Sequence, residues 1–387
     1  MTDATPPRLT LRQRWHRLRT SPRFPFVLFF GLLIAGGLSQ VYCYWWGVRI
    51  QRMVARHGGN TNTYPVYPYS FKQAVGARFI EPLEPINGVN LAPTSPVPAS
   101  DIALLEGLRS LSGLGLQGTI DSDGWRQVGR LRNLRAINAT GPNLVVRDRD
   151  LEQLARLPKL RYLLLGNLSL ELRGLRHFAR HATLTWLDIH YDSTLGKTEI
   201  ADWSENSDTR QHVPTKVEAA SFQELASNQT LKGLTLSSFP GFGDEQLLAL
   251  TSALPDGAEP LPSLTKLHLS QTGVTGDGVR FLGNLPSLED LNLTGIKLGD
   301  DGLRGLKHNS TIRVLNVYGT QIGDRDVETL LTMSNLQTVN VAHTSITEQA
   351  LMRLTTHPTL QRLTVGTDVP YTTVIALRNH LACHVVK

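Results

Sequence analysis

Between residues 264 and 365, apolar side chains recur every 24 residues, and this period limits the fold more than any other feature of the chain. Leu264, Leu288, Ile312, Leu336 and Leu360 form one column; Leu267, Leu291, Leu315, Val339 and Leu363 a second; Leu269, Leu293, Val317, Val341 and Val365 a third. Three more follow in the same register: Val274, Leu298, Ile322 and Ile346; Val279, Leu303, Val327 and Leu351; Leu282, Leu306, Leu330 and Leu354. In Leu288-Glu289-Asp290-Leu291-Asn292-Leu293 the alternation predicts a strand, with Leu291 and Leu293 inward and Asp290 and Asn292 outward. Asp300 to Leu306 then has helical spacing. Thr275, Gly299, Gly323 and Thr347 stand where a helix N-cap belongs, and acids follow at Asp277, Asp300, Asp324 and Glu348. Pro158, Pro262, Pro286 and Pro358 precede the strands and stop the helices. Each unit is predicted as strand, turn, helix, turn. A single unit cannot bury its apolar side, so neighbours must stack.

Looser copies start at Leu111, Leu134, Leu160, Leu184 and Leu231, with spacings of 23, 26, 24, 47 and 33 residues. Ten units result, with a further strand expected at Ile86-Val89-Leu91. A period of about 20–29 residues with L-x-x-L-x-L is the signature of leucine-rich repeats. The units resemble those of the ribonuclease-inhibitor and F-box type; Thr272, Val274, Thr275, Asp277, Gly278 and Val279 carry the likeness. The chain also resembles bacterial membrane-anchored proteins of this class, through Ala55-Arg56-His57-Gly58-Gly59 and Gly76-Ala77-Arg78-Phe79. The resemblance implies an α/β leucine-rich-repeat solenoid, with parallel strands on the concave face and helices on the convex face.

The N-terminus suggests a transmembrane helix before this solenoid. Residues 24–48 carry no charge, enough for a span of about 20 residues. Tyr42, Tyr44, Trp45 and Trp46 would form its interfacial belt. Six arginines precede it (Arg8, Arg12, Arg14, Arg17, Arg19, Arg23) and three follow (Arg49, Arg52, Arg56). That asymmetry predicts a cytoplasmic N-terminus and an extracytoplasmic repeat domain on a single-pass protein, and the resemblance implies that the membrane is the bacterial inner membrane. The rival reading is a cleaved signal peptide, with Gly37 and Ser39 before Gln40. The expected organisation is a basic tail at 1–23, the span at 24–48, a juxtamembrane segment and cap at 49–100, and repeats over 101–387. The 47-residue spacing leaves an insertion near 191–213, read either as functional or as a decayed repeat. Of the net charge of +6, the first 23 residues supply most, and the other 364 are almost neutral. The basic pI therefore reports the tail and not a nucleic-acid surface.

Two cysteines, Cys43 and Cys383, exclude a disulfide scaffold. Gly113-Leu114-Gly115-Leu116-Gln117-Gly118 matches a dinucleotide fingerprint, but its leucines are the strand leucines of a repeat. His177 and His181 have helical i, i+4 spacing but no third ligand, and read as convex-face residues. His380, Cys383 and His384 belong to the terminal cap. Asp121-Ser122-Asp123-Gly124 lacks the distal glutamate of a calcium loop and reads as a capping turn. No catalytic, metal or cofactor site is expected, and the chain is not read as an enzyme.

The outward strand positions are the candidate protein-binding residues. The central column reads Gly115, Asn138, Leu164, Asp188, Thr235, His268, Asn292, Asn316, Asn340 and Thr364; Tyr162, Trp186, His190, Lys266, Asp290, Tyr318 and Arg362 flank it. Exposed Trp and Tyr are interface anchors, so Tyr162, Trp186, Asp188 and His190 are placed at the centre, unless the insertion covers Trp186. The three asparagines are expected either to bind or to stack amide on amide between strands. The reading that follows is a membrane-tethered module for a protein partner. The alternative is a structural or self-associating envelope protein without a specific partner.

Overall fold

The computed structural model describes residues 24–63, 85–92, 96–141, 144, 146–166, 173–190, 218–239, 241–380 and 384–386. The chain forms two compact units, Met1–Met53 with Thr63–Ile86, and Val54–Asn62 with Asn87–Lys387. The tail at 1–23 and the insertion at 191–213 lie outside the described residues.

The expected membrane span is overturned. Phe24–Arg56 form one 33-residue helix, α1, and among the described residues no helix is long and apolar enough to cross a membrane. Apart from Gln40, side chains along α1 are described from Leu38 onward. The helix does not stop at the aromatic cluster but runs on through Arg49, Arg52 and Arg56, all exposed. Between them Ile50, Met53 and Val54 are buried, at i, i+3, i+4 spacing. This end of α1 is thus an amphipathic protein helix. The aromatics contact one another and a neighbouring cation: Tyr42 stacks on Trp46 at 5.9 Å, and the Arg49 guanidinium lies 5.6 Å from the Trp46 ring. The single-pass topology, the cytoplasmic N-terminus and the inner-membrane placement fall with the span.

The repeat unit carries a sheet of thirteen strands among the described residues, in sequence order. They are β1 (Asn60–Thr63), β2 (Ile86–Leu91), β3 (Gly113–Leu116), β4 (Ala136–Ala139), β5 (Tyr162–Gly166), β6 (Trp186–His190), β7 (Gly233–Ser237), β8 (Lys266–His268), β9 (Asp290–Asn292), β10 (Val314–Asn316), β11 (Thr338–Asn340), β12 (Arg362–Thr364) and β13 (His384–Val386). Every pairing from β2 to β13 is parallel and joins like positions of successive units, as in Leu267↔Leu291, Leu291↔Leu315 and Leu315↔Val339. Five of the six columns are buried throughout; the sixth is buried except at Ile346, which is half-buried. Each buried leucine contributes about 1.5–3 kcal/mol relative to exposure, so the columns are the main favourable term. β13 lies beyond the repeat period; Arg378 fastens it by donating to the Val385 carbonyl at 3.1 Å.

Between strands the chain forms α2 (Ala99–Leu104), α3 (Ser122–Val128), α4 (Asp148–Ala155), α5 (Ala219–Leu225), α6 (Asp244–Thr251), α7 (Gly276–Val279), α8 (Asp324–Thr332), α9 (Glu348–Arg353) and α10 (Tyr371–His380), with short 3-10 turns elsewhere. Asp300–Leu306 is not the expected helix. It is a turn followed by one 3-10 turn, Arg304–Leu306. Asp301 adopts φ +64°, and a Cβ on Gly305 would strike the Arg280 backbone, so this segment lies too close to the previous unit for a full helix.

The first-turn acids do more than favour the helix dipole: they cross to the next unit. Asp244 accepts the Thr275 amide at 2.8 Å and its hydroxyl at 2.6 Å; Asp324 accepts the Thr347 amide at 2.7 Å and hydroxyl at 2.8 Å. Asp148 takes the Gly174 amide at 2.6 Å. Each bond satisfies an N-terminal donor that the following unit leaves unpaired. Near the start of the sheet, His57 pairs with Asp101 at 2.9 Å, and a Cβ on Gly59 would strike the Asn90 carbonyl.

Candidate functional site

The parallel register aligns the outward residues into rows across the strands. Tyr162↔Trp186↔Gly233 form one row, Leu164↔Asp188↔Thr235 the next, and Gly166↔His190↔Ser237 a third. Trp186, Asp188 and His190 alternate with buried Leu187 and Ile189, so all three stand on the outer face. Tyr162 and Trp186 stack at 6.5 Å between centroids, with planes 20° apart. The indole spreads over Gly233, where an added Cβ would overlap its six-membered ring. Tyr162 is 37% exposed and Trp186 half-buried. The pair is therefore a flat aromatic platform, supported beneath by a residue with no side chain. Burial, and then the Asp188 charge, raise the Tyr162 hydroxyl above its usual pKa, so it is a protonated donor at neutral pH. His190 stands 3.7 Å from Asp188.

A second polar group occupies the next units. The Asp290 carboxylate lies 3.4 Å from the Lys266 ammonium and 3.8 Å from the His268 imidazole. The His268 side chain, and after it the Lys266 charge, hold its pKa below the usual value against the opposing effect of burial. Asp290 is thus the centre of this cluster.

Asn292, Asn316 and Asn340 follow in register, but their side-chain oxygens do not bond to one another. Each accepts the amide two residues on along its own chain: Thr294 at 3.0 Å, Tyr318 at 3.1 Å and Ala342 at 3.1 Å. These are Asx turns, which bend the chain out of the strand. The residues three beyond these asparagines, Gly295, Gly319 and His343, share left-handed φ, as does Gln271 three beyond His268. His343 meets Tyr318 edge-to-face at 5.0 Å, an exposed pair at the C-terminal end of the face. Its position, normally suited to glycine, was the one signal that could have marked His343 in the sequence.

Other sequence candidates resolve into structure. Gly113–Leu116 is strand β3, and a Cβ on Gly115 would strike the Asn90 side chain, so close strand approach explains that glycine. Asp121 caps α3 by accepting the Gly124 amide at 2.6 Å. His177 and His181 do not share a helix face, because their segment is a 3-10 helix that ends at Phe178. His181 is not a convex-face residue but is buried: its Nε2 lies 3.1 Å from the Leu157 carbonyl, and its Nδ1 accepts the Leu184 amide at 3.1 Å. His357 repeats this arrangement on the Met333 carbonyl. Among the described residues no three side chains are grouped to hold a metal. Cys383 and the side chains of His380 and His384 lie outside the described residues.

A family model described as Leucine Rich repeat matches residues 261–283 and 308–331. These two segments match the leucine-rich repeat. Among solved structures, the chain is similar to a leucine-rich-repeat protein of Leptospira interrogans at 17% identity, covering 77% of this chain and 83% of that one with a TM-score of 0.39. It is also similar to an internalin of Listeria monocytogenes at 18% identity, covering 70% of this chain and 71% of that one, again with a TM-score of 0.39. No curated protein matches the chain.

Proposed function

We propose that this leucine-rich-repeat chain is a non-enzymatic scaffold that binds a protein partner through the outer face of its sheet, centred on Tyr162 and Trp186. The stacked pair lying over Gly233 carries the reading. Rigid rings on a flat support offer large apolar area at little cost in side-chain freedom. Asp188 and His190 orient the partner with charge, and the Lys266, His268 and Asp290 cluster extends the contact toward the C-terminus. Asn292, Asn316 and Asn340 shape the edge of this surface more than they bind, since their oxygens are engaged by the backbone; Tyr318 offers a secondary anchor.

The test is capture of the partner with the full chain, followed by Trp186→Ala. Affinity should fall at least tenfold while the melting curve stays unchanged. Leu187→Ala, one residue along and in the core, should instead destabilise the fold by about 2–5 kcal/mol. Unfolding by Trp186→Ala would end the reading. So would unchanged binding in Trp186→Ala when Tyr318→Ala abolishes it, which would move the site to Tyr318 and His343.

A further inference from the structure

The near-neutrality of the chain beyond its tail conceals two opposite halves. Residues 109–180 hold thirteen arginines and lysines against six acids, while residues 181–387 hold fifteen against twenty-two. Four of these arginines meet at one place. Where α3 and α4 end, a cavity of about 300 Å³ is lined by Arg126, Gly129, Arg130, Arg132, Gln153 and Arg156. Gly129 lies against Gln153, where an added Cβ would come within 3.1 Å of the carbonyl oxygen and 3.2 Å of the Gln153 Cβ, so the two units approach closely at that wall. Arg126 is paired with Asp123, and Arg156 with Glu152 at 2.6 Å. Arg130 donates to the neutral Gln127 amide at 3.2 Å. Among the described residues, no carboxylate pairs with Arg130 or Arg132.

One cation at each helix end would complement the macrodipole. Four guanidinium groups from two successive units around one cavity repel one another, and an anion between them removes that repulsion. Arginine forks match the oxygens of phosphate and carboxylate. At about 300 Å³ the cavity has room for a compact anion. We propose that this cavity binds a phosphate-type dianion, a phosphomonoester or a diphosphate, either free or carried on a larger ligand.

Titration calorimetry of the full chain with orthophosphate, pyrophosphate, O-phosphoserine and sulfate tests this. Saturable one-site binding of pyrophosphate or O-phosphoserine is expected, at least tenfold tighter than sulfate. The tighter of the two tells a diphosphate from a phosphomonoester. Arg130→Gln with Arg132→Gln should weaken it at least tenfold without moving the melting curve, since both side chains are exposed. Arg132→Lys, which keeps the charge but loses the fork, should lose part of the affinity. Arg313→Gln, in a distant unit, should leave it unchanged. Absence of saturation at millimolar ligand, equal binding of sulfate, or full binding by the double variant would each overturn the proposal.

Discussion

The indole of Trp186 occupies the space in which a side chain at Gly233, one strand away, would stand. The glycine is therefore part of the aromatic surface, although it contributes no atom to the exposed face beyond its backbone.

Gly233→Val should dismantle that surface. A valine Cβ overlaps the six-membered ring, so the indole must swing away and its stack on Tyr162 is lost. Overpacking of this kind costs about 1–3 kcal/mol. The near-UV circular dichroism should change as it does in Trp186→Phe, and partner affinity should fall as in Trp186→Ala. An unchanged spectrum would show that the ring does not depend on the glycine.

The buried histidines should make stability fall on mild acidification. Burial lowers the pKa of His181 and His357 below 6.5, outweighing the backbone hydrogen bonds that act to raise it. A histidine with a depressed folded pKa stabilises fully above its unfolded value and loses that contribution as pH falls through the folded one. The melting temperature should therefore drop as pH is lowered past about 6.5. Asn228 occupies the equivalent position in its unit and donates to the Phe178 carbonyl at 2.7 Å. His181→Asn with His357→Asn should thus fold and flatten the decline below about pH 6.5. An equally steep decline in the double variant would place its origin elsewhere.

Asp326 is fully buried and accepts three backbone amides, from Leu303 at 2.7 Å, Gly323 at 3.0 Å and Asp301 at 3.1 Å. Asp326→Asn keeps one acceptor oxygen and turns an N–H toward a backbone N–H. The expected loss is about 1–3 kcal/mol, read by urea denaturation at neutral pH. Burial, the largest influence, raises the carboxyl above 3.8 despite these amides. The folded protein then takes up its proton before the unfolded chain does, so this group becomes less unfavourable as pH falls through its raised value. The advantage of the wild type over the variant should widen toward pH 3.8. A gap that narrows would mean that the three amides outweigh burial.

Much of the fold was legible in the 24-residue period. Leu291 and Leu293 face the core because alternation assigns them there, and the outward register from His268 to Thr364 follows from the same count. The helix at Asp300–Leu306 failed because local spacing does not reveal how close Gly305 comes to the Arg280 backbone. The span at 24–48 failed because an uncharged run measures hydropathy, not where a helix ends; α1 continues to Arg56 and buries Ile50, Met53 and Val54.

The candidate site divides in the same way. Period-2 alternation and the repeat register are enough to put Tyr162, Trp186, Asp188 and His190 on one face. Folding in three dimensions is what lays Trp186 over Gly233, turns the asparagines onto their own backbone, buries His181, and brings Arg130 and Arg132 into a cavity with Arg126 and Arg156. The periodic pattern records which side of each unit meets the core, because burial is the same in every unit. Apart from the Asx turns, these contacts reach between units, with Arg126, Arg130 and Arg132 on one and Arg156 on the next, and no column of like residues marks which polar or charged groups will meet there.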